Sequence, residues 1–362
     1  VGRRPGRVEL ALFHSEAVPR GEDGRGAPVG EENPPAGVED DETMGQVIEG
    51  AEHRRDKGLL PGVPAARPVR ECPGSAGRRP PRLAVGIPSV DPPGPRKLSG
   101  EVQEGLEQEL GDKRIRVLQT GVAGEKGVRF AAIVNQLKHF HGRSGLGAVM
   151  GSKRLKAIAV RGSTPPVALD KGAAKKALTW FREHYDRAND RFHQLGSAGV
   201  VLALEASGIL PTRNFRDGSF EHARAISGQT MAETILVHRG TCFACAVACK
   251  REVGIPEEGV DPKYGGPEYE TLAATGSLCG VGDLHALARI NQLLAQYVLD
   301  SISTGAVIAF AMECFEHGIL TTQDTGGLDL TWGNAEAVEA LVGLIGRREG
   351  LGDLLAEGVR LA

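Results

Sequence analysis

No apolar run in the sequence reaches the length needed to span a membrane, and the first residues carry no apolar h-region of a secretory signal. Neither a membrane protein nor a secreted one is indicated. Basic charge is not in excess: 43 Lys and Arg against 46 Asp and Glu leave a net charge of -3, with a pI near 6.4. That balance argues against a dedicated nucleic-acid binder. Aromatic residues are scarce at 4%, whereas 50 Gly and 21 Pro are many. A second C-x2-C pair, which a zinc site usually needs, is also lacking. At 362 residues the chain is long enough for two or three domains.

Three of the six cysteines fall within eight positions, Cys242, Cys245 and Cys249, spaced C-x2-C-x3-C. Thiolates this close can converge on one metal centre, and a thiol triad without that purpose invites oxidation. Ala244, Ala246 and Ala248 leave the backbone room to curl around a cluster, and Lys250 and Arg251 stand where they can offset its negative charge. An iron–sulfur cluster takes four thiolates, commonly three from a tight run and one from afar. Zinc and buried structural cysteines are the other readings of the spacing. A redox C-x-x-C would leave Cys249 unexplained. Cys279 and Cys314 are candidates for a fourth ligand, or that ligand lies beyond the end of the chain. Free thiols at this spacing fit a reducing cytoplasm better than a disulfide framework.

Residues 1–98 differ in kind from the rest. Pro, Gly and Arg crowd them, and no apolar period of 2 or 3.6 persists. The segment reads as a disordered tail or as a GC-rich gene translated in the wrong frame, and Cys72 and His53 within it carry no functional weight. Order is expected from Ser99: a helix over 101–110, a strand over 114–119, a turn at 121–124 and a strand over 156–161. Beyond 163 the pattern turns helical. Lys171–His184 is amphipathic, and Asp283 caps a helix with Leu284, Leu287, Asn291, Leu294 and Val298 on one face. Ser303 to Gly305 opens a helix over 306–316 ended by Gly318, and Asn334 caps another over 335–345. The chain stops at Ala362 without a closing signal and reads as cut.

Between the two expected strands lies Gly142-Arg143-Ser144-Gly145-Leu146-Gly147-Ala148-Val149-Met150-Gly151-Ser152-Lys153. A dinucleotide fingerprint runs strand, loop, helix, whereas this loop is expected to feed a strand; a Walker loop needs G-K-[ST], and the order here is Gly151-Ser152-Lys153. Both are excluded. Closely spaced glycines still leave backbone N–H groups bare for an anion, and Arg143 can bind phosphate with two hydrogen bonds. The bland alternative is a tight turn with a solvated arginine.

Four segments together resemble the aldehyde ferredoxin oxidoreductase family. They are the glycine-rich loop, Leu210-Pro211-Thr212-Arg213-Asn214-Phe215, the cysteine run, and Gly266-Pro267-Glu268-Tyr269-Glu270-Thr271 with Asp300-Ser301-Ile302-Ser303-Thr304-Gly305. They stand in the family's order over about residues 99–362. The resemblance implies an α+β fold: the end of a β-rich pterin-binding domain over 99–162, then mainly α-helical domains over 163–362 that carry the iron–sulfur cysteines. It implies a tungsten (or molybdenum) bis-pterin, a [4Fe–4S] cluster, ferredoxin as partner, a small aldehyde as substrate and compatibility with a homodimer. Cys242, Cys245 and Cys249 match the clustered iron–sulfur ligands, with the family's fourth ligand beyond this chain. Arg143, Gly145 and Leu146 match a pterin-contacting loop in which Ser144 stands where glycine is usual. Asp300 matches the end of a D-x-x-G-L-D pterin motif whose first Asp and Gly are here Ala295 and Val298. Glu270 matches a glutamate near the metal, a proton acceptor, with Glu268 as the fallback. The rival readings are an inactive truncated remnant, a small iron–sulfur electron-transfer module completed by Cys279 or Cys314, and a zinc-stabilised helical binding protein.

Overall fold

The computed structural model describes residues 10–13, 67–68, 84–85, 96–162 and 168–362. Strands come first and helices later, the expected α+β arrangement. The strands are β1 (Leu10–Phe13), β2 (Arg67–Pro68), β3 (Ala84–Val85), β4 (Arg116–Thr120), β5 (Ile133–Asn135), β6 (His139–His141) and β7 (Ala157–Val160). Five of them form one antiparallel sheet in the order β1-β7-β4-β5-β6, while β2 pairs with β3. The segment 1–98 thus contributes three short strands. Cys72 and His53 lie outside the described residues.

Helix α1 (Ser99–Leu110) begins two residues earlier than its periodicity suggests and ends at Gly111 with φ 61°. Val102 and Leu106, one helical turn apart, pack on Ile115, just before β4, and on Val117, Ala157 and Ala159 of the sheet. The expected turn at 121–124 is a single helical turn, α2 (Val122–Glu125). The tip of the β5–β6 hairpin is pinned on both sides. Leu137 is buried against Tyr264 and Ala295, and the Gln136 side chain accepts a hydrogen bond from the Val117 backbone at 2.5 Å. Lys138 and Phe140 of the same hairpin line one cleft with Lys250 and Leu294.

The loop at 142–145 opens a short helix, α3 (Leu146–Ser152), before β7 and does not feed the strand directly. Glycines make that helix possible, because a Cβ on Gly151 would lie 2.0 Å from the Gly124 oxygen of α2. Then follow α4 (Lys171–His184), α5 (Arg191–Leu195), α6 (Val201–Ala206) and α7 (Gly228–Thr234). Helix α4 forms over the expected residues behind an Asp170 cap, but it buries none of its side chains among the described residues. A hairpin of β8 (Leu236–Gly240) and β9 (Lys250–Val253) interrupts the helices.

The last part holds the main core. Here stand α8 (Tyr269–Thr271), a π turn at Leu272–Gly276, α9 (Leu284–Tyr297), α10 (Ser301–Glu316), α11 (Ala335–Arg347) and α12 (Leu351–Leu355). Asp283 and Asn334 cap as expected, Asp283 accepting from the backbones of His285 and Ala286 and Asn334 from that of Ala337. Each such cap is worth about 1 kcal/mol. Two boundaries move. Val298 leaves the α9 face and takes a left-handed φ of 58°. Helix α10 starts at Ser301, because the Asp300 carboxylate, and no side chain nearer 306, accepts from the Ile302 backbone. Leu287, Ile290, Ile308, Met312, Val338, Leu341 and Ile345 interleave from three helices. Burying each contributes about 1.5–3 kcal/mol. Among the described residues no helix is long and apolar enough to cross a membrane.

A Cβ on Gly305 of α10 would lie 2.2 Å from the Ala274 carbonyl oxygen in the π turn, whereas one on Gly105 of α1 meets nothing within 4 Å. Gly305→Ala is therefore expected to lose about 1–3 kcal/mol through overpacking. Gly105→Ala should gain up to about 1 kcal/mol of helix propensity. Urea denaturation midpoints of the two variants should move in opposite directions.

Candidate functional site

The β5–β6 hairpin, β9, the segment before α8 and the junction of α9 with α10 enclose a cleft of about 230 Å³. Arg143, Glu268, Glu270 and Asp300, four residues singled out from sequence, line it together with Lys138 and Lys250. Gly145 and Leu146 do not line the cleft; they stand where α3 begins, behind Gly142 and Arg143, which do.

The geometry of the loop explains its composition. Ser144 and Gly145 both adopt left-handed backbones, with φ of 72° and 68°. A Cβ on Gly145 would sit 2.2 Å from the Arg129 oxygen, so this position admits only glycine. The backbone N–H groups of Arg143, Ser144 and Gly145 have no hydrogen-bond partner among the described residues. Gly147 differs, since its N–H is bonded to Ala131 O. Arg143 is 64% exposed and its nearest acid is Asp300, with Nε 3.9 Å from Oδ2.

Asp300 is nearly sealed from solvent, and its carboxylate serves α10 first. One oxygen accepts from Ile302 N and the other from the Ser303 hydroxyl at 2.5 Å, leaving Arg143 at longer range. Glu270 projects exposed from α8 into the cleft. Glu268 is more tightly held. Its Oε1 takes a hydrogen bond from Lys250 Nζ at 3.0 Å, and its Oε2 takes one from Ser197. The Ser197 oxygen in turn accepts from Tyr269 N at 3.0 Å, which ties Glu268 to the first turn of α8.

The cysteines occupy the loop that closes the β8–β9 hairpin. Thr241 Oγ1 donates to Cys245 O at 2.6 Å and Cys245 N to Cys242 O at 3.1 Å, which coils the first half. Ala244 and Ala248 accept left-handed φ of 56° and 52°, a cost of about 1–2 kcal/mol each that small side chains keep lowest. Cys242 and Cys245 are exposed; Cys249 is half-buried, and burial followed by the Glu268 charge pushes its thiol up. Cys242 Sγ lies 3.8 Å from His139 Nδ1. Among the described residues no three His, Cys, Asp or Glu side chains come together as a formed metal site. Cys279 stands in the helical core, its thiol directed at Ala274 O and Gly305 O and pushed far up by burial, and Cys314 is half-buried on α10. Neither joins the loop in a metal site.

Arg251 is 1% exposed, buried beneath the loop. Its guanidinium donates to Gln194 O at 2.6 Å, His193 O at 2.9 Å, Ala248 O at 3.1 Å and Cys249 O at 3.2 Å. Burial and then Arg239 pull it below the ordinary arginine range. The alternation Lys250-Arg251-Glu252-Val253 was the available signal, since it places Arg251 on the buried face of Val253. Lys250, on the other face, is the one that meets an acid. Gly196 makes room for the clamp with φ 62° and ψ -161°, and a Cβ there would lie 2.7 Å from Cys249 O.

The family described as "Aldehyde ferredoxin oxidoreductase, domains 2 & 3" matches residues 172–362, and "Aldehyde ferredoxin oxidoreductase, N-terminal domain" matches 96–162. The chain is similar to the tungsten-containing aldehyde ferredoxin oxidoreductase of Pyrococcus abyssi, 39% identical over 271 residues, covering 72% of this chain and 44% of that protein. It is similar to the aliphatic sulfonate oxidoreductase, WOR-like subunit, of Pyrococcus furiosus, 33% identical over 252 residues and covering 68% and 40%. Among solved structures it resembles the active site complex BamBC of benzoyl coenzyme A reductase in complex with 1,5-dienoyl-CoA. There the TM-score is 0.60 at 26% identity, with 73% of this chain and 42% of that one covered. The match thus spans less than half the length of these relatives.

Two substitutions probe the loops. Gly196→Ala places a side chain in a backbone region open essentially to glycine and against the Arg251 clamp. It is expected to cost about 2 kcal/mol or more in urea denaturation and to speed proteolysis between 241 and 249. Ser144→Gly relieves a left-handed serine on an exposed loop and should raise the midpoint, by up to about 1 kcal/mol.

Proposed function

The chain belongs to the aldehyde ferredoxin oxidoreductase family, and on that footing we propose that it is part of a tungsten (or molybdenum) pterin, iron–sulfur oxidoreductase. We infer further that the enzyme is cytoplasmic, oxidises small aldehydes to carboxylic acids and delivers the electrons to ferredoxin. The observation that carries this reading is the cleft. Residues from the β part and from three helical segments line one cavity, and Lys250, next to Cys249, forms part of its wall.

The residues present suit the groups this reading requires. Arg143 is exposed, meets its nearest acid at 3.9 Å, and follows Gly142 into a loop where three N–H groups have no partner among the described residues, a donor set suited to a pterin phosphate. Asp300 keeps acceptor capacity beyond its two short bonds for a pterin ring edge. Three thiols in one coiled loop, over a buried guanidinium that has only carbonyl partners, suit an anionic iron–sulfur cluster. When bound, the pterin metal supplies two-electron chemistry at the substrate carbon and the cluster carries single electrons.

The net reaction is an aldehyde plus water giving a carboxylic acid, two protons and two electrons. The part of this chain is to hold and to move protons. Glu270, open to the cleft and free of an ion pair among the described residues, takes a proton as water oxygen adds to the carbonyl carbon. Glu268 is held by Lys250 and Ser197 and keeps α8 in place beneath it.

Metal analysis and one substitution test the reading. The chain should bind iron together with tungsten or molybdenum, and Cys245→Ala should lose most of the iron, the cluster signal in electron paramagnetic resonance and the aldehyde-dependent reduction of an artificial acceptor. An unchanged iron content in that variant would sink the cluster assignment. Iron without tungsten or molybdenum would favour an electron-transfer module, and no metal at all a remnant.

A further inference from the structure

Antiparallel pairing sets Arg239 of β8 directly opposite Arg251 of β9, at the mouth of the cysteine loop. Like charges in that position are destabilising. Neither guanidinium has a carboxylate within ion-pair range among the described residues, and Arg251 is 1% exposed. Carbonyl oxygens satisfy its donors but do not cancel its charge; the Glu268 carboxylate, beyond ion-pair range, offsets part of it, yet burial and Arg239 outweigh that help. The Arg239 Nε atom is buried without a hydrogen-bond partner, and Nη2 reaches only Gln194 Oε1, at 3.3 Å. Both side chains thus meet at Gln194, the residue whose carbonyl also anchors Arg251. Two cations are thus packed together at the base of a thiol-bearing loop, an arrangement that an anion held in that loop would stabilise.

We propose that Arg239 and Arg251 form a fixed cationic base beneath the Cys242 to Cys249 loop, and that this base sets the reduction potential of the cluster held there. The inference rests on the reading of the loop as an iron–sulfur site. Adding one electron makes a thiolate-bound cluster more negative by one charge, so permanent cations under it stabilise the reduced form. Hydrogen bonds from Arg251 end on the carbonyls of Ala248 and Cys249, which holds that charge against the third cysteine. The two arginines are positioning and tuning residues; Arg251 also borders the cleft, but its guanidinium is spent on backbone carbonyls beneath the loop.

The test uses this chain reconstituted anaerobically with iron, sulfide and a small thiol to fill the fourth ligand position, as wild type, Arg239→Gln, Arg251→Gln and Arg251→Lys. Melting of the metal-free forms and redox titration followed by electron paramagnetic resonance are the readouts. Metal-free Arg239→Gln should melt about 1–3 °C above wild type, because the cross-strand repulsion is gone. Loaded with its cluster, the same variant should show a reduced-to-oxidised ratio about tenfold lower at a fixed potential, which is about 59 mV for one electron. Arg251→Gln should shift the same way and Arg251→Lys should stay near wild type. If Arg251→Gln does not fold, Arg239→Gln decides alone. A wild-type potential in Arg239→Gln, or equal shifts in the Lys and Gln variants at 251, overturns the proposal while leaving the cluster site intact. A wild-type chain that takes up no iron overturns the site itself, and the proposal with it.

Discussion

Arg251 donates at once to the end of α5 and to the end of the cysteine loop, so neither can shift without breaking charge-assisted hydrogen bonds away from water. Such bonds are stronger there than at the surface, and unmaking them strands a charge. The clamp also dictates what surrounds it. Position 196 must be glycine-like in backbone, the loop must approach α5 closely, and β9 must turn its next side chain, Lys250, the other way. Lys250 then meets Glu268, Glu268 meets Ser197, and Ser197 receives the first N–H of α8. One buried side chain is in this way connected, step by step, to the helix that presents Glu270.

Much of this was legible in the sequence, and the reasons differ by residue. Helix α4 matched its expected limits residue for residue, because a 3.6 period is a local signal; the Asp170 cap that starts it is local too but was not read. The caps at Asp283 and Asn334 were readable for the same reason. Helix α10 was read five residues too short, since it is apolar on all sides and offers no amphipathic edge from which to count back to Asp300. The gathering of Arg143, Glu268, Glu270 and Asp300 came from the family resemblance, because no periodicity joins residues so far apart. Arg251 was read as a charge beside the cysteines, but its depth was not. The alternation along β9 marks a buried face, whereas the α5 carbonyls that receive its guanidinium are brought there only by the fold.

Two positions at which the family resemblance implies a glycine share one physical feature. Ser144 has φ 72° and Val298 has φ 58°. Glycine enters that region without steric cost, whereas a β-branched valine enters it only where its surroundings over-determine the backbone. Val298 is fully buried beside Ala132 and Val134, and its carbonyl accepts from Ala132 N at 2.9 Å. Packing and a sheet-like hydrogen bond therefore hold a conformation that the residue itself disfavours. Ser144 has no such burial.

The pairing of β1 with β7 runs from Leu10 opposite Val160 to Phe13 opposite Ala157, and it makes β7 an interior strand. The family match begins only at 96. A piece trimmed to that match would leave the outer side of β7 as an open row of amide and carbonyl groups on an otherwise complete sheet. Such edges recruit strands from other molecules. The four residues at 10–13 therefore shift the edge of the sheet one strand outward, from β7 to β1, and the boundaries of the family match would undo that shift.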